Sequence, residues 1–205
     1  MREWGLAPKF AHMNAAWYGD ADMTRIPRVI AQDFDVYHIV TRGNNRMPIF
    51  ADTDDYLSYH TTLKKYKSLF GFKIYHYNLM PNHVHLLMDV SGEDLSKIMM
   101  RINLSYSIRH KRKYDRTGHL WEKRFWSDTI RDERHFLTCA AYIEMNCVRA
   151  GIVAHPADYR WSSYNRLACG AMDDIVDLSD GYLELGSTPE ERMCAYKAMV
   201  RLFER

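Results

Sequence analysis

The sequence predicts an α+β fold, a ferredoxin-like or RRM-like antiparallel sheet with helices packed on one face. Three observations predict it. Short β-branched and aromatic runs alternate with longer helical stripes in the order strand, helix, strand, strand, helix, strand, helix. The second and third strands are separated only by Pro81-Asn82, a link that suits an antiparallel pair. The chain has 205 residues, 47% of them hydrophobic, with no apolar run long enough to span a membrane.

The elements follow in order. Residues 1–30 carry Pro8 and Pro27 and little periodicity, and read as an N-terminal arm. Phe34 to Thr41 is β-branched and aromatic and predicts the first strand. Arg42-Gly43-Asn44-Asn45-Arg46 reads as a turn. Asp52 or Thr53 can cap a helix to about Phe70, with Gly71 as its stop. Phe72 to Met80 and His83 to Val90 are the second and third strands. A helix runs from about Asp94 to Tyr114, with Leu95, Ile98, Met99, Ile102, Tyr106 and Ile108 as candidate core positions. Phe125 to Arg131 is the fourth strand. Asp132-Glu133 starts a helix that Gly151 ends. Residues 31–168 form the main domain in this reading, and 169–205 an acidic linker followed by a C-terminal helix.

Composition narrows the function. The N-terminus lacks a secretory pattern. The four cysteines are widely spaced with no Cys-x-x-Cys pair, which argues against a zinc knuckle. The expected location is cytoplasmic, associated with the nucleoid. Net charge is only +2, but Arg101 to Arg134 holds ten Lys or Arg against five acids, with Tyr106, Tyr114, Trp121, Phe125 and Trp126 interleaved. That mixture suits phosphate contact and base stacking, though a solvated helix face gives the same pattern.

The most informative string is Pro81-Asn82-His83-Val84-His85. Alternation along a strand sends His83 and His85 to one face and Val84 to the other, the convergence a metal needs. A third ligand can come from the helix Ala141-Tyr142-Ile143-Glu144-Met145-Asn146, where Tyr142 and Asn146 are one turn apart. The amide oxygen of Asn146 is a hard donor suited to Mg²⁺ or Mn²⁺.

Together these residues resemble the HUH single-strand transposases with one catalytic tyrosine. The branch they resemble most is the REP-associated tyrosine transposases. Further matching strings are Arg42-Gly43-Asn44-Asn45-Arg46, Thr117-Gly118-His119-Leu120-Trp121, Val148-Arg149-Ala150-Gly151 and Trp161-Ser162-Ser163-Tyr164. The resemblance covers roughly residues 34–168. One departure is Cys147, where the family usually has Pro. The resemblance implies an HUH transposase fold and an enzyme acting on single-stranded or hairpin DNA. It implies Tyr142 as nucleophile, a 5′-phosphotyrosine intermediate, and a Mg²⁺ or Mn²⁺ ion on His83, His85 and Asn146. Arg42, Arg109, Lys111, Arg112, His119, Trp121 and Arg124 are candidate DNA contacts. A monomer or a homodimer fits the family. His38, His76, His135 and Cys139 read as structural residues. Two other readings fit parts of the pattern: a non-catalytic RRM-like nucleic-acid binder, and a nickase of the relaxase or replication-initiator type.

Overall fold

The computed structural model describes residues 35–203; the expected N-terminal arm, residues 1–30, lies outside them. Four strands form one antiparallel sheet: β1 (Val36–Arg42), β2 (Lys73–Met80), β3 (His83–Asp89) and β4 (Trp126–Thr129), in the order β2-β3-β1-β4. This is the split βαβ order of ferredoxin-like sheets. Three long helices connect or follow them: α1 (Thr53–Phe70), α2 (Leu95–Lys113) and α3 (Glu133–Arg149). Three more complete the chain: α4 (Tyr164–Cys169), α5 (Asp180–Leu183) and α6 (Pro189–Arg201). No helix among the described residues is long and apolar enough to cross a membrane.

Local chemistry starts and stops the helices. Asp52, Asp94 and Asp132 each accept from a backbone N–H in the first turn of α1, α2 and α3. Gly71 ends α1 in the left-handed conformation, at φ 75°. With Cys147 in place of a proline, α3 runs on to Arg149, and the Cys147 Sγ packs against the Glu144 carbonyl at 3.3 Å.

Alternation along the strands divides the molecule. Val84, Leu86 and Met88 of β3 join Ile39, Tyr59, Leu63, Ile98, Met99 and Ile102 in a core beneath α1 and α2, whereas Ile108, expected in that core, lies on the outer face of α2 and is exposed. The opposite face carries His76, Asn78, His85, Leu87 and His38, and α3 covers it through Phe136, Cys139, Ala140 and Ile143. Helices on one face therefore describes α1 and α2, while α3 forms a third layer on the other side. The reason is the stripe on α3, which is apolar enough to bury against a sheet face of its own.

The acidic stretch after α4, expected as a linker, is packed along β2. Ile175 and Val176 are buried, and Asp177 accepts from the Ile74 amide at 2.9 Å and pairs with Lys67. Its acids have partners on α1 and β2, so the segment closes a sheet edge. α6 then returns to α3. Tyr196 of α6, His76 of β2 and Ser163 all converge on Glu144 Oε1 of α3, His76 at 3.1 Å and the Tyr196 hydroxyl at 3.3 Å. Glu144 is fully buried, and its Oε2 has no partner among the described residues. Glu144→Ala would leave three buried polar groups without their shared acceptor. The expected loss is about 3 kcal/mol or more, read as a lower urea midpoint; an unchanged midpoint would show that the cluster does not hold α3 to α6.

Candidate active site

The site is built where β3 meets β1 under α3. His83 lies opposite Arg42 and His85 opposite Val40 in the antiparallel register. The imidazoles of His83 and His85 have ring centroids 5.0 Å apart, on one face as alternation requires. Tyr142 descends from α3, its ring edge-on to His85 at 5.8 Å. Asn146, one turn further on, donates its Nδ2 to the Tyr142 carbonyl at 2.9 Å, so Oδ1 is its atom for a cation. Of the four residues that sequence reasoning grouped, His83 and His85 share one sheet face, the Tyr142 ring meets His85 there, and Asn146 adjoins Tyr142 on α3.

Burial sets the charge state. It pushes His83 down to about 3, with the Arg42 guanidinium adding to the effect. It also pushes His85 well below the ordinary imidazole value, helped by His83 and His38. Both rings are therefore neutral at pH 7, the form in which imidazole binds metal. Two neutral nitrogen donors and an amide oxygen are donors that a divalent ion can use.

Two residues of the site were not singled out as functional from sequence. His38 Nε2 lies 3.0 Å from His85 Nδ1, and the rings stack at 5.3 Å. It sits two residues from Val40, the register partner of His85, and so is its diagonal neighbour across the strands. Arg149 places its guanidinium 5.2 Å from the Tyr142 ring centroid. Burial raises the Tyr142 pKa, while Arg149, Arg42 and a hydrogen bond with Asn146 oppose the rise. The signal for Arg149 was available: it stands seven residues after Tyr142, two turns along one helix face.

The basic patch divides. α2 lies across the sheet from the histidines, and Arg109 at its end is ion-paired with Asp54 and Asp55 of α1. Lys113 joins Asp52, Asp54 and Asp55. Arg112 is exposed and Lys111 half-buried on that same helix. Trp121 packs with Tyr59 and Tyr106 and donates its Nε1–H to the Asn103 carbonyl at 2.9 Å. Exposed His119 and Arg124 flank the strand end that carries Arg42: Asn44 N–H donates to the Leu120 carbonyl, and Glu122 N–H to the Arg42 carbonyl.

Residues 35–146 match the family of IS200-like transposases. The chain belongs to that family. A curated Haemophilus influenzae protein carrying the name REP-associated tyrosine transposase is 28% identical over 100 residues, covering 43% of this chain. The chain spans just over half, 56%, of that relative's length. Among solved structures, a REP-associated tyrosine transposase bound to a REP hairpin superposes with a TM-score of 0.59 at 21% identity, covering 77% of this chain and 96% of the other. A transposase structure from Deinococcus radiodurans R1 covers 53% of this chain and 88% of its own, at 18% identity and a TM-score of 0.41. The IS200-like match contains His83, His85, Tyr142 and Asn146 and ends at Asn146.

The buried histidines make the fold acid-sensitive. His38 is also pushed down to about 3, by burial and then by His135. The unfolded chain binds protons near pH 6.5, while folded His38 and His83 do not until about 3. Stability is therefore full above pH 6.5 and falls as pH drops through it. At pH 5 buried His38 costs about 2 kcal/mol, and half-buried His83 costs less because solvent screens it. The metal-free melting temperature should drop between pH 7 and 5, and a flat profile would contradict the neutral buried rings.

Proposed function

We propose that the chain is a metal-dependent single-stranded DNA transposase or endonuclease, which cleaves and rejoins DNA at hairpins through a 5′-phosphotyrosine link. The observation that carries this reading is the position of Tyr142, edge-on to His85 with neutral His83 beside it. A divalent ion held by His83, His85 and Asn146 would polarise the scissile phosphate and offset its charge.

The chain's own residues do the rest. The Tyr142 oxygen attacks phosphorus, a bond forms between them, and the bond to the 3′ oxygen of the preceding nucleotide breaks. That oxygen leaves as a 3′-OH after taking up a proton, and the tyrosine gives its own proton up. A free tyrosine is phenolate about one time in a thousand at neutral pH. Burial holds the Tyr142 phenol above its ordinary value and makes the anion rarer still in the free protein, while Arg149 and Arg42 limit that rise. Rejoining is the reverse step, in which a 3′-OH attacks the phosphotyrosine. The link keeps the phosphodiester energy, so no nucleotide triphosphate is consumed.

Hairpin DNA is proposed because a REP hairpin is bound by the solved REP-associated relative. In this reading Arg42, His119 and Arg124 line the approach to His83. Arg109 is held by its acids and contributes less. Arg124→Gln should reduce the salt slope of DNA binding by about one, and Arg109→Gln should leave it nearly unchanged; the reverse ranking would put the DNA path on α2.

The reading is tested with a panel of single-stranded hairpin oligonucleotides, with Mn²⁺ or with a chelator. Cleavage should need the metal and leave an upstream strand that a polymerase can extend from its 3′-OH. Binding without cleavage across the panel would favour the RRM-like binder instead.

A further inference from the structure

The geometry points to Asn82 as a positioning residue that fixes His83 as the Nδ1–H tautomer, so that its Nε2 carries the lone pair. The inference rests on the metal reading above and adds the device that prepares one ligand in advance.

His83 Nδ1 lies 2.6 Å from Asn82 Oδ1. A carbonyl oxygen has no hydrogen, so the ring nitrogen must donate. Which amide atom faces the ring is decided on the other side of Asn82. There Nδ2 donates to the Arg46 carbonyl at 3.1 Å. Turning the amide over would set its oxygen against that carbonyl and lose that bond, even though its NH₂ could then donate to an unprotonated Nδ1. The Arg46 carbonyl therefore favours the orientation that puts Oδ1 on the ring. A neutral imidazole protonated at Nδ1 has its lone pair on Nε2.

The Arg46 carbonyl is itself held in place. Asn45 and Arg46 both adopt left-handed backbone, at φ 52° and 57°, a conformation that costs free energy in residues with a Cβ. The turn is tied to the β2–β3 link at three points: Gly43 N–H donates to the Asn82 carbonyl at 2.9 Å, and Ile49 and Phe50 N–H donate to the Pro81 carbonyl. Gly43 is required for this approach, because a Cβ there would collide with the Met47 carbonyl and come within 2.8 Å of Ile49. The strained turn thus presents one carbonyl, the carbonyl orients one amide, and the amide selects one tautomer. Outer-shell hydrogen bonds of this kind orient and strengthen metal-ligating histidines.

His85 shows the contrast. Its Nδ1 faces His38 Nε2, and either ring nitrogen can be the donor. Nothing in that pair alone decides which tautomer His85 adopts, whereas Asn82 has decided for His83.

The test uses the full chain, metal-free, with ¹⁵N-labelled histidine. Long-range ¹H–¹⁵N correlations separate protonated from unprotonated ring nitrogens. His83 should show a protonated Nδ1 and an unprotonated Nε2. Asn82→Ala should move His83 toward the Nε2–H form that free side chains favour, and weaken Mn²⁺ binding about 10–100-fold. Asn82→Asp keeps an acceptor for Nδ1–H but loses the bond to Arg46, so it should keep the tautomer. That separates tautomer control from loss of the turn. Nε2–H in the wild type would overturn the inference, as would an unchanged tautomer in a folded Asn82→Ala. Mn²⁺ that fails to broaden the wild-type His83 and His85 signals would contradict the metal reading, while the metal-free tautomer still decides the role of Asn82.

Discussion

Tyr142→Phe should abolish covalent capture of cleaved DNA and lower strand cleavage about 10⁵-fold or more, the scale of deleting a nucleophile. The substitution removes one oxygen. The phenyl ring still meets His38 at 6.0 Å and His85 at 5.8 Å, edge-on as the phenol does, and still lies beneath the Arg149 guanidinium. Folding and hairpin binding should therefore be nearly unaffected, which separates this variant from one that merely unfolds. Fourteen tyrosines compete for the role. Tyr59 and Tyr106 are fully buried, and Tyr114 donates to Asp55 at 2.6 Å. Among the described residues, Tyr142 is the tyrosine edge-on to His85. Undiminished capture by the Phe variant, measured on denaturing gels, would transfer the nucleophile elsewhere.

His83→Ala should lower Mn²⁺-dependent cleavage about 10³-fold, equivalent to about 4 kcal/mol of barrier. Hairpin affinity in chelator should stay within a few-fold, since the ring is asked to hold an ion and not the DNA. His83 sits at the start of β3 and is half-buried, so its truncation leaves a smaller void than truncation of fully buried His85 would. Metal titrated by calorimetry should bind wild type and fail to bind the variant at the same concentration. Equal metal affinity in both would place the ion elsewhere. Two acidic groups are available for comparison: Asp52, Asp54 and Asp55, and His60 with Asp173 and Asp174. Lysines already occupy both, Lys113 in the first and Lys64 in the second.

Much of this was legible because it is local. A period of two put His83 and His85 on one face, and a period of 3.6 put Tyr142 and Asn146 on one stripe. Both periods survive without knowledge of any partner. His38 was not legible as part of the site. It lies 47 residues before His85, and only the β1–β3 register makes them diagonal neighbours. The partners of Arg109 were hidden for the same reason, because the acids that pair with it are about 55 residues upstream on α1. The stretch after α4 looked like a linker because it is acidic. Its buried Ile175 and Val176 are too few to give a period, and their place is set by the edge of β2. Asn82 was visible in the string but silent in meaning. Its role depends on a carbonyl at Arg46, 36 residues earlier.

We propose that Tyr142 becomes joined to DNA on the sheet face that carries His83 and His85. Peptide mapping of the adduct formed with a single-stranded hairpin and Mn²⁺ tests it most directly. The account predicts one DNA-linked peptide, containing Tyr142 esterified to a 5′ phosphate, and none in the presence of chelator. A link at another tyrosine, or a hairpin cut without any protein–DNA link, would contradict it.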